Sequence, residues 1–136
     1  MSYKYTIEFI RHLEEKFDIN IDKELKEYVE INGSTYNLSL IQEEMDAKIK
    51  EACYILKIKY IDVLGKSRSH ENVVLRNVLI SHFYNRYPVS LKTIGRVFGG
   101  RDHSTVIHAR QQVENYKDTR YELYTYYATE LQTILI

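Results

Sequence analysis

Ser90-Leu91-Lys92-Thr93-Ile94-Gly95-Arg96-Val97-Phe98-Gly99-Gly100-Arg101-Asp102-His103-Ser104-Thr105-Val106-Ile107-His108-Ala109 reads as two helices and a tight turn. Ser90 is placed to cap a short helix over Leu91 to Phe98, with Leu91, Ile94 and Phe98 on its inward face. Gly99-Gly100 ends it, because glycine tolerates the left-handed conformation that a sharp helix exit requires. Asp102 then caps a helix of about fifteen residues that turns Val106, Ala109 and Val113 inward. Two helices joined by Gly99-Gly100-Arg101 form a helix-turn-helix, in which the start of the second helix meets base edges in a major groove. Asp102, His103, Ser104 and Thr105 occupy that start, and all can hydrogen-bond. Arg101 in the turn, with Lys92 and Arg96 on the first helix, are candidates for phosphate contacts.

Working outward, Pro88 stops the preceding helix near Tyr87, since the residue before proline is pushed out of helical geometry. That helix starts at Glu71 or Asn72 and carries Val74, Leu75, Val78, Leu79 and Phe83. Ahead of it, YIDVLGKSRSHE reads as one short helical turn and a basic loop. Ser39 with Gln42 has capping-box spacing and opens a helix towards Lys57, with Met45, Ile49, Ala52 and Leu56 on one face. Thr6 to Phe17 carries Ile10, Leu13 and Phe17 at helical spacing, with Glu8, Arg11, Glu14 and Glu15 elsewhere around the helix. Between them, Asp22 could cap a helix through Leu25, Tyr28 and Val29, or Asn32-Gly33 could turn a short hairpin. Tyr124, Tyr127, Leu131 and Ile134 mark a final helix. The expected fold is all-α, with a possible small N-terminal hairpin.

The 136 residues suit one domain with its own core, and the net charge is zero. That zero conceals an asymmetry. Residues 1–56 carry a net charge of −5, residues 57–117 of +7 and residues 118–136 of −2. A basic block inside a neutral chain fits a polyanion-binding face. The single cysteine, Cys53, excludes a disulfide framework and fits a small core residue in a reducing compartment. No apolar run reaches membrane-span length, and no signal-peptide pattern opens the chain. A soluble, cytoplasmic, nucleoid-associated protein is expected.

The run from Gly99 to Ala109 resembles the signature of the C-terminal DNA-binding domain of the DnaA family of bacterial replication initiators. The resemblance extends over roughly residues 45–135, through IKEACYILKIKYIDVLGKSRS and SLKTIGRVFGG. It divides the chain into an N-terminal extension, 1–44, and a DnaA-like domain, 45–136. By resemblance, Asp102, His103, Ser104 and Thr105 read the major groove of a nine-base-pair box, and Arg68 of the basic loop enters the adjacent minor groove. Arg76 and Lys66 match the loop's last arginine and leading lysine, which contact the DNA backbone. Ser67, His70 and Val74 stand where relatives commonly carry arginine, Leu75 and Lys92 replace prolines, and Glu71 adds a negative charge. These departures imply a related recognition mode at DnaA-box-like sites that need not be the standard box.

No catalysis, metal or cofactor is expected. Asp102-His103-Ser104 has triad residue types, but consecutive helical residues point about 100° apart and do not face one another. His103 and His108 are five apart, unlike the spacing that puts two zinc ligands on one face. Gly65-Lys66-Ser67 matches the end of a phosphate-binding loop, yet Tyr60 holds the first-glycine position and the stretch before it reads as helix. The chain has no room for the family's ATP-binding motor. Of thirteen tyrosines, Tyr60, Tyr84, Tyr87 and Tyr116 are expected at half-buried positions, and Tyr121, Tyr124, Tyr126 and Tyr127 could mark a dimer face. The expected partner is double-stranded DNA. Residues 1–44 could cap the DNA-binding domain, bind a replication or regulatory protein, or cover the basic face. The rival reading is a protein-interaction module that keeps the fold without DNA binding.

Overall fold

The computed structural model describes residues 4–17 and 38–135, which form seven helices with no strand among the described residues. In chain order they are α1 (Lys4–Phe17), α2 (Leu38–Leu56), α3 (Tyr60–Leu64), α4 (His70–Arg86), α5 (Leu91–Val97), α6 (His103–Asp118) and α7 (Glu122–Glu130). The choice between a helix after Asp22 and a hairpin at Asn32-Gly33 lies outside the described residues.

α4 is the axis of the bundle. Residues Val74 to Tyr84 are buried without a break, so this helix has no solvent stripe. α1, α3, α5, α6 and α7 all pack on it, and α2 closes the core from the side of α3, α5 and α7. Phe83 and Phe98 are fully buried with ring centroids 5.7 Å apart, and Ile49, Leu79, Ile94, Val106 and Leu131 fill the same core. Cys53 belongs to it too, and burial pushes its thiol up to about 11, far from a reactive thiolate.

Local chemistry sets most boundaries. Tyr87 is extended before Pro88, and the Ser90 hydroxyl accepts the Thr93 N–H at 3.1 Å to cap α5. Asp102 caps α6 by accepting the Ser104 N–H at 2.8 Å. Two boundaries differ from the sequence reading. α2 begins at Leu38, so Ser39 lies in its first turn and the helix runs through the expected 44/45 division. α4 begins at His70, one residue earlier than expected, and its N-cap Ser69 turns its hydroxyl to Glu71 instead of capping.

α1 departs most from its apolar pattern, which placed Arg11 and Glu14 away from the packed face. Both are buried, at 7% and 8% exposure. Arg11 donates from Nε and Nη2 to the Tyr84 carbonyl at 3.0 and 2.8 Å, and from Nη1 to the Val89 carbonyl at 2.8 Å. Nη1 also meets Glu14 Oε1 at 2.7 Å, and Glu14 Oε2 accepts the Leu91 N–H at 2.7 Å. A cation therefore sits at the C-terminal end of α4 and an anion at the start of α5, each matching the local dipole. Burial lowers the Arg11 pKa, an effect opposed by the Glu14 charge. This clasp joins α1 to the corner that leads into the helix-turn-helix.

Candidate nucleic-acid interface

The α5–α6 turn is closed by one carbonyl. Gly95 O accepts the N–H groups of Phe98, Gly100 and Arg101 at 3.1, 3.1 and 2.9 Å. Gly99 and Gly100 take φ of 83° and 80°, the left-handed region expected of them. Gly95 has a different reason to be glycine, since a Cβ there would collide with the Arg101 carbonyl oxygen. A Cβ at Gly99 would likewise collide with the Leu64 carbonyl oxygen, so the turn packs directly against the end of α3.

That contact brings the basic loop to the start of α6. The loop, residues 65–69, follows α3, and two arginines hold it from beneath. Arg76 donates to the carbonyls of Val63 (2.8 Å), Asp62 (3.0 Å), Ser67 (3.2 Å) and Gly65 (3.3 Å), while Arg101 also donates to Gly65 O. Arg76 is 7% exposed, and burial followed by the Arg101 charge pushes its pKa down to about 10. Inside the loop, Ser67 Oγ accepts from Asn72 Nδ2 at 2.9 Å, and Lys66 and Arg68 stand exposed.

At the α6 N-terminus, Asp102, His103 and Ser104 are exposed and Thr105 is half-buried. Asp102 Oδ1 accepts from Ser104 N and Ser104 Oγ, at 2.8 and 3.1 Å, and lies 3.4 Å from His103 Nδ1. The Ser104 hydrogen bonds hold the Asp102 carboxyl below its usual range. The three side chains thus form a solvent-facing cluster adjoining the loop that carries Arg68. This is the geometry of a helix-turn-helix suited to DNA binding, its second helix starting at an exposed polar cluster beside a basic loop.

Residues 47–113 match the family described as bacterial dnaA protein helix-turn-helix. This part of the chain is a DnaA-type helix-turn-helix domain, homologous to the initiator's C-terminal module. The chain is also similar to the chromosomal replication initiator protein DnaA of Chlorobaculum tepidum, at 38% identity over 90 residues. That alignment covers 66% of this chain and 17% of the relative.

The ten sequence-nominated residues do not share one situation. Arg68, Asp102, His103 and Ser104 are exposed, as are Lys66 and Lys92. Arg76 and Arg101 turn their guanidinium groups inward to carbonyls at the end of α3 and in the loop that carries Arg68. Arg96 is exposed but lines a groove with Ser39, Gln42, Glu43 and Asp46, beside two carboxylates of α2. The stretch before Gly65 is helix α3, whereas a nucleotide-binding loop follows a strand. Among the described residues, no group of three or more His, Cys, Asp or Glu side chains is placed to hold a metal. No described helix is long and apolar enough to cross a membrane.

Sequence reasoning missed two residues on the outward stripe of α6. Ile107 is 38% exposed one turn beyond His103, and Arg110 lies a further turn along. Helical spacing from His103 would have found both. The tyrosines expected at partly buried sites are more deeply set in two cases, Tyr84 at 7% and Tyr87 at 4% exposure. On the α7 side, Tyr116 packs against Tyr121 and Tyr124, with centroids 5.3 and 6.0 Å apart, inside one chain.

Proposed function

We propose that this protein binds double-stranded DNA sequence-specifically through its DnaA-type helix-turn-helix and regulates replication initiation or transcription at sites related to the DnaA box. The observation that carries this reading is the solvent-facing Asp102–His103–Ser104 cluster beside the braced loop that presents Arg68. In this reading the α6 N-terminus enters a major groove, and Arg68 reaches the neighbouring minor groove. Asp102 Oδ2 has no partner among the described residues and can accept from a cytosine amino group, His103 and Ser104 can bond base edges, and Thr105 or Ile107 can meet a thymine methyl. Lys66 and Lys92 contact phosphates, while Arg76 and Arg101 hold the loop in register. The work requires no nucleotide hydrolysis, and it places the protein at the nucleoid, in the cytoplasm.

One observation favours the rival, a module that binds protein instead. With Arg76 and Arg101 turned inward and Arg96 beside Glu43 and Asp46, the cationic surface facing a duplex is thinner than the charge count implies. Such a module could offer residues 1–44 to a replication or regulatory protein. Fluorescence anisotropy separates the two readings, using a duplex with a DnaA box and a scrambled duplex, each at two salt concentrations. DNA binding predicts salt-dependent affinity, with preference for the box or, after selection from random DNA, for a related site. Absence of binding to every duplex, together with recovery of a protein partner, would replace it with the rival.

A further inference from the structure

Tyr84, near the end of α4, carries two guanidinium groups over its ring. Arg11 of α1 lies 4.3 Å from the ring centroid and Arg110 of α6 lies 4.8 Å from it. Their circumstances differ. Arg11 is buried, bonded to backbone carbonyls and ion-paired with Glu14. Arg110 is half-buried, and no carboxylate among the described residues pairs with it. A guanidinium stacked on a ring keeps its N–H donors at its edge, so stacking orders Arg110 without consuming its hydrogen-bonding capacity. Tyr84 is itself a firm support, because Arg11 holds both its ring and its carbonyl.

The placement of Arg110 on the recognition helix gives that charge a direction. It follows His103 by seven residues, which is 20° short of two full turns and about 10 Å along the axis. His103, Ile107 and Arg110 therefore form one stripe. A major groove is about 12 Å wide. With His103 at the base edges, a cation about 10 Å up the same stripe, on the flank facing the end of α4, lies where the groove wall supplies phosphates.

Resting on the DNA-binding reading above, we propose that Arg110 is an additional DNA contact, a stacked guanidinium that grips the phosphate wall of the groove read by the start of α6. It fixes register without reading sequence. The test is a salt titration of duplex binding by wild type, Arg110→Ala, Arg110→Gln and Arg110→Lys, with thermal unfolding measured alongside. Gln removes the charge and keeps a planar polar end group on a shorter side chain. Losing one phosphate contact lowers the slope of log affinity against log salt by about 0.9, which is roughly eightfold weaker binding at 0.1 M salt. Ala and Gln should both show this loss with the specific-to-scrambled ratio unchanged, and Lys should restore the slope. Wild type that binds DNA while Ala and Gln keep its slope would overturn this contact alone, whatever their melting temperatures. Wild type without salt-dependent binding would overturn the DNA reading and this contact together.

Discussion

Replacing Gly95 with alanine should open the helix-turn-helix corner. The new methyl would collide with the Arg101 carbonyl oxygen, a backbone atom that no rotamer change can move aside. Relief requires α5 to separate from the turn, which weakens the hydrogen bonds from Gly100 and Arg101 N–H to Gly95 O. Overpacking of this kind costs about 1–3 kcal/mol, and two weakened hydrogen bonds add about 1–3 kcal/mol. Better helix propensity returns about 1 kcal/mol. The net loss is about 1–5 kcal/mol, and its midpoint for a chain of this size lowers Tm by roughly 10 °C. Gly100→Ala is the internal control. A Cβ there meets nothing within 4 Å, so only the strain of φ 80° remains, about 1–2 kcal/mol. Thermal unfolding followed by circular dichroism measures both. Specific DNA affinity, read well below the lower Tm, should fall further for Gly95→Ala, because α5 and α6 no longer meet at the same angle. A Gly95→Ala protein as stable as wild type, or more stable than Gly100→Ala, would refute the account of the turn.

Other outcomes follow from the same contacts. Arg76→Met should lose about 2–4 kcal/mol and most specific DNA binding, and Arg76→Lys should not restore it, since a point charge cannot span four carbonyls as the guanidinium fork does. Glu14→Ala breaks a buried pair and should cost about 3–5 kcal/mol, with faster hydrogen exchange at the Leu91 amide as its local signature. The His82 ring is held at about 4 by burial and the nearby Lys48 and Arg86 charges, below its usual 6.5. The unfolded chain therefore binds that proton more readily. The His82 contribution is intact above pH 6.5 and fades as pH falls from 6.5 towards 4, by about 1–3 kcal/mol. Chemical denaturation of His82→Gln across that range should show a flatter pH dependence than wild type.

The sequence made legible whatever is decided within a few residues. Pro88, the Ser90 and Asp102 caps and the Gly99-Gly100 exit fix the helix-turn-helix by local chemistry, and the structure has each in that role. What required the fold was the direction in which charged side chains point. A count of basic residues treats Arg68, Arg76 and Arg101 alike, yet the last two turn inward to carbonyls at the end of α3 and in the loop that follows it. Arg11 and Glu14 fell on the polar side of α1 by periodicity. They are buried because the α4–α5 corner offers carbonyls at one helix end and an N–H at the next start, which no pattern within α1 could reveal. α4 shows a related effect: packed on every side, it buries Arg76, Asn77, Ser81 and His82 along with its apolar residues. Gly95 resembles an ordinary helical glycine in sequence, and its necessity lies in the approach of the Arg101 backbone.

The central claim is that Arg68 and the start of α6 read bases from two grooves of one duplex. Its most direct test is the ratio of affinity for a selected specific duplex to that for a scrambled one, measured for wild type, Arg68→Ala and His103→Ala at one salt concentration. Each substitution should cut the ratio by about 5- to 150-fold, the 1–3 kcal/mol of a base contact. Affinity for the scrambled duplex should stay within a few-fold of wild type. A ratio that both variants leave unchanged would contradict the two-groove reading.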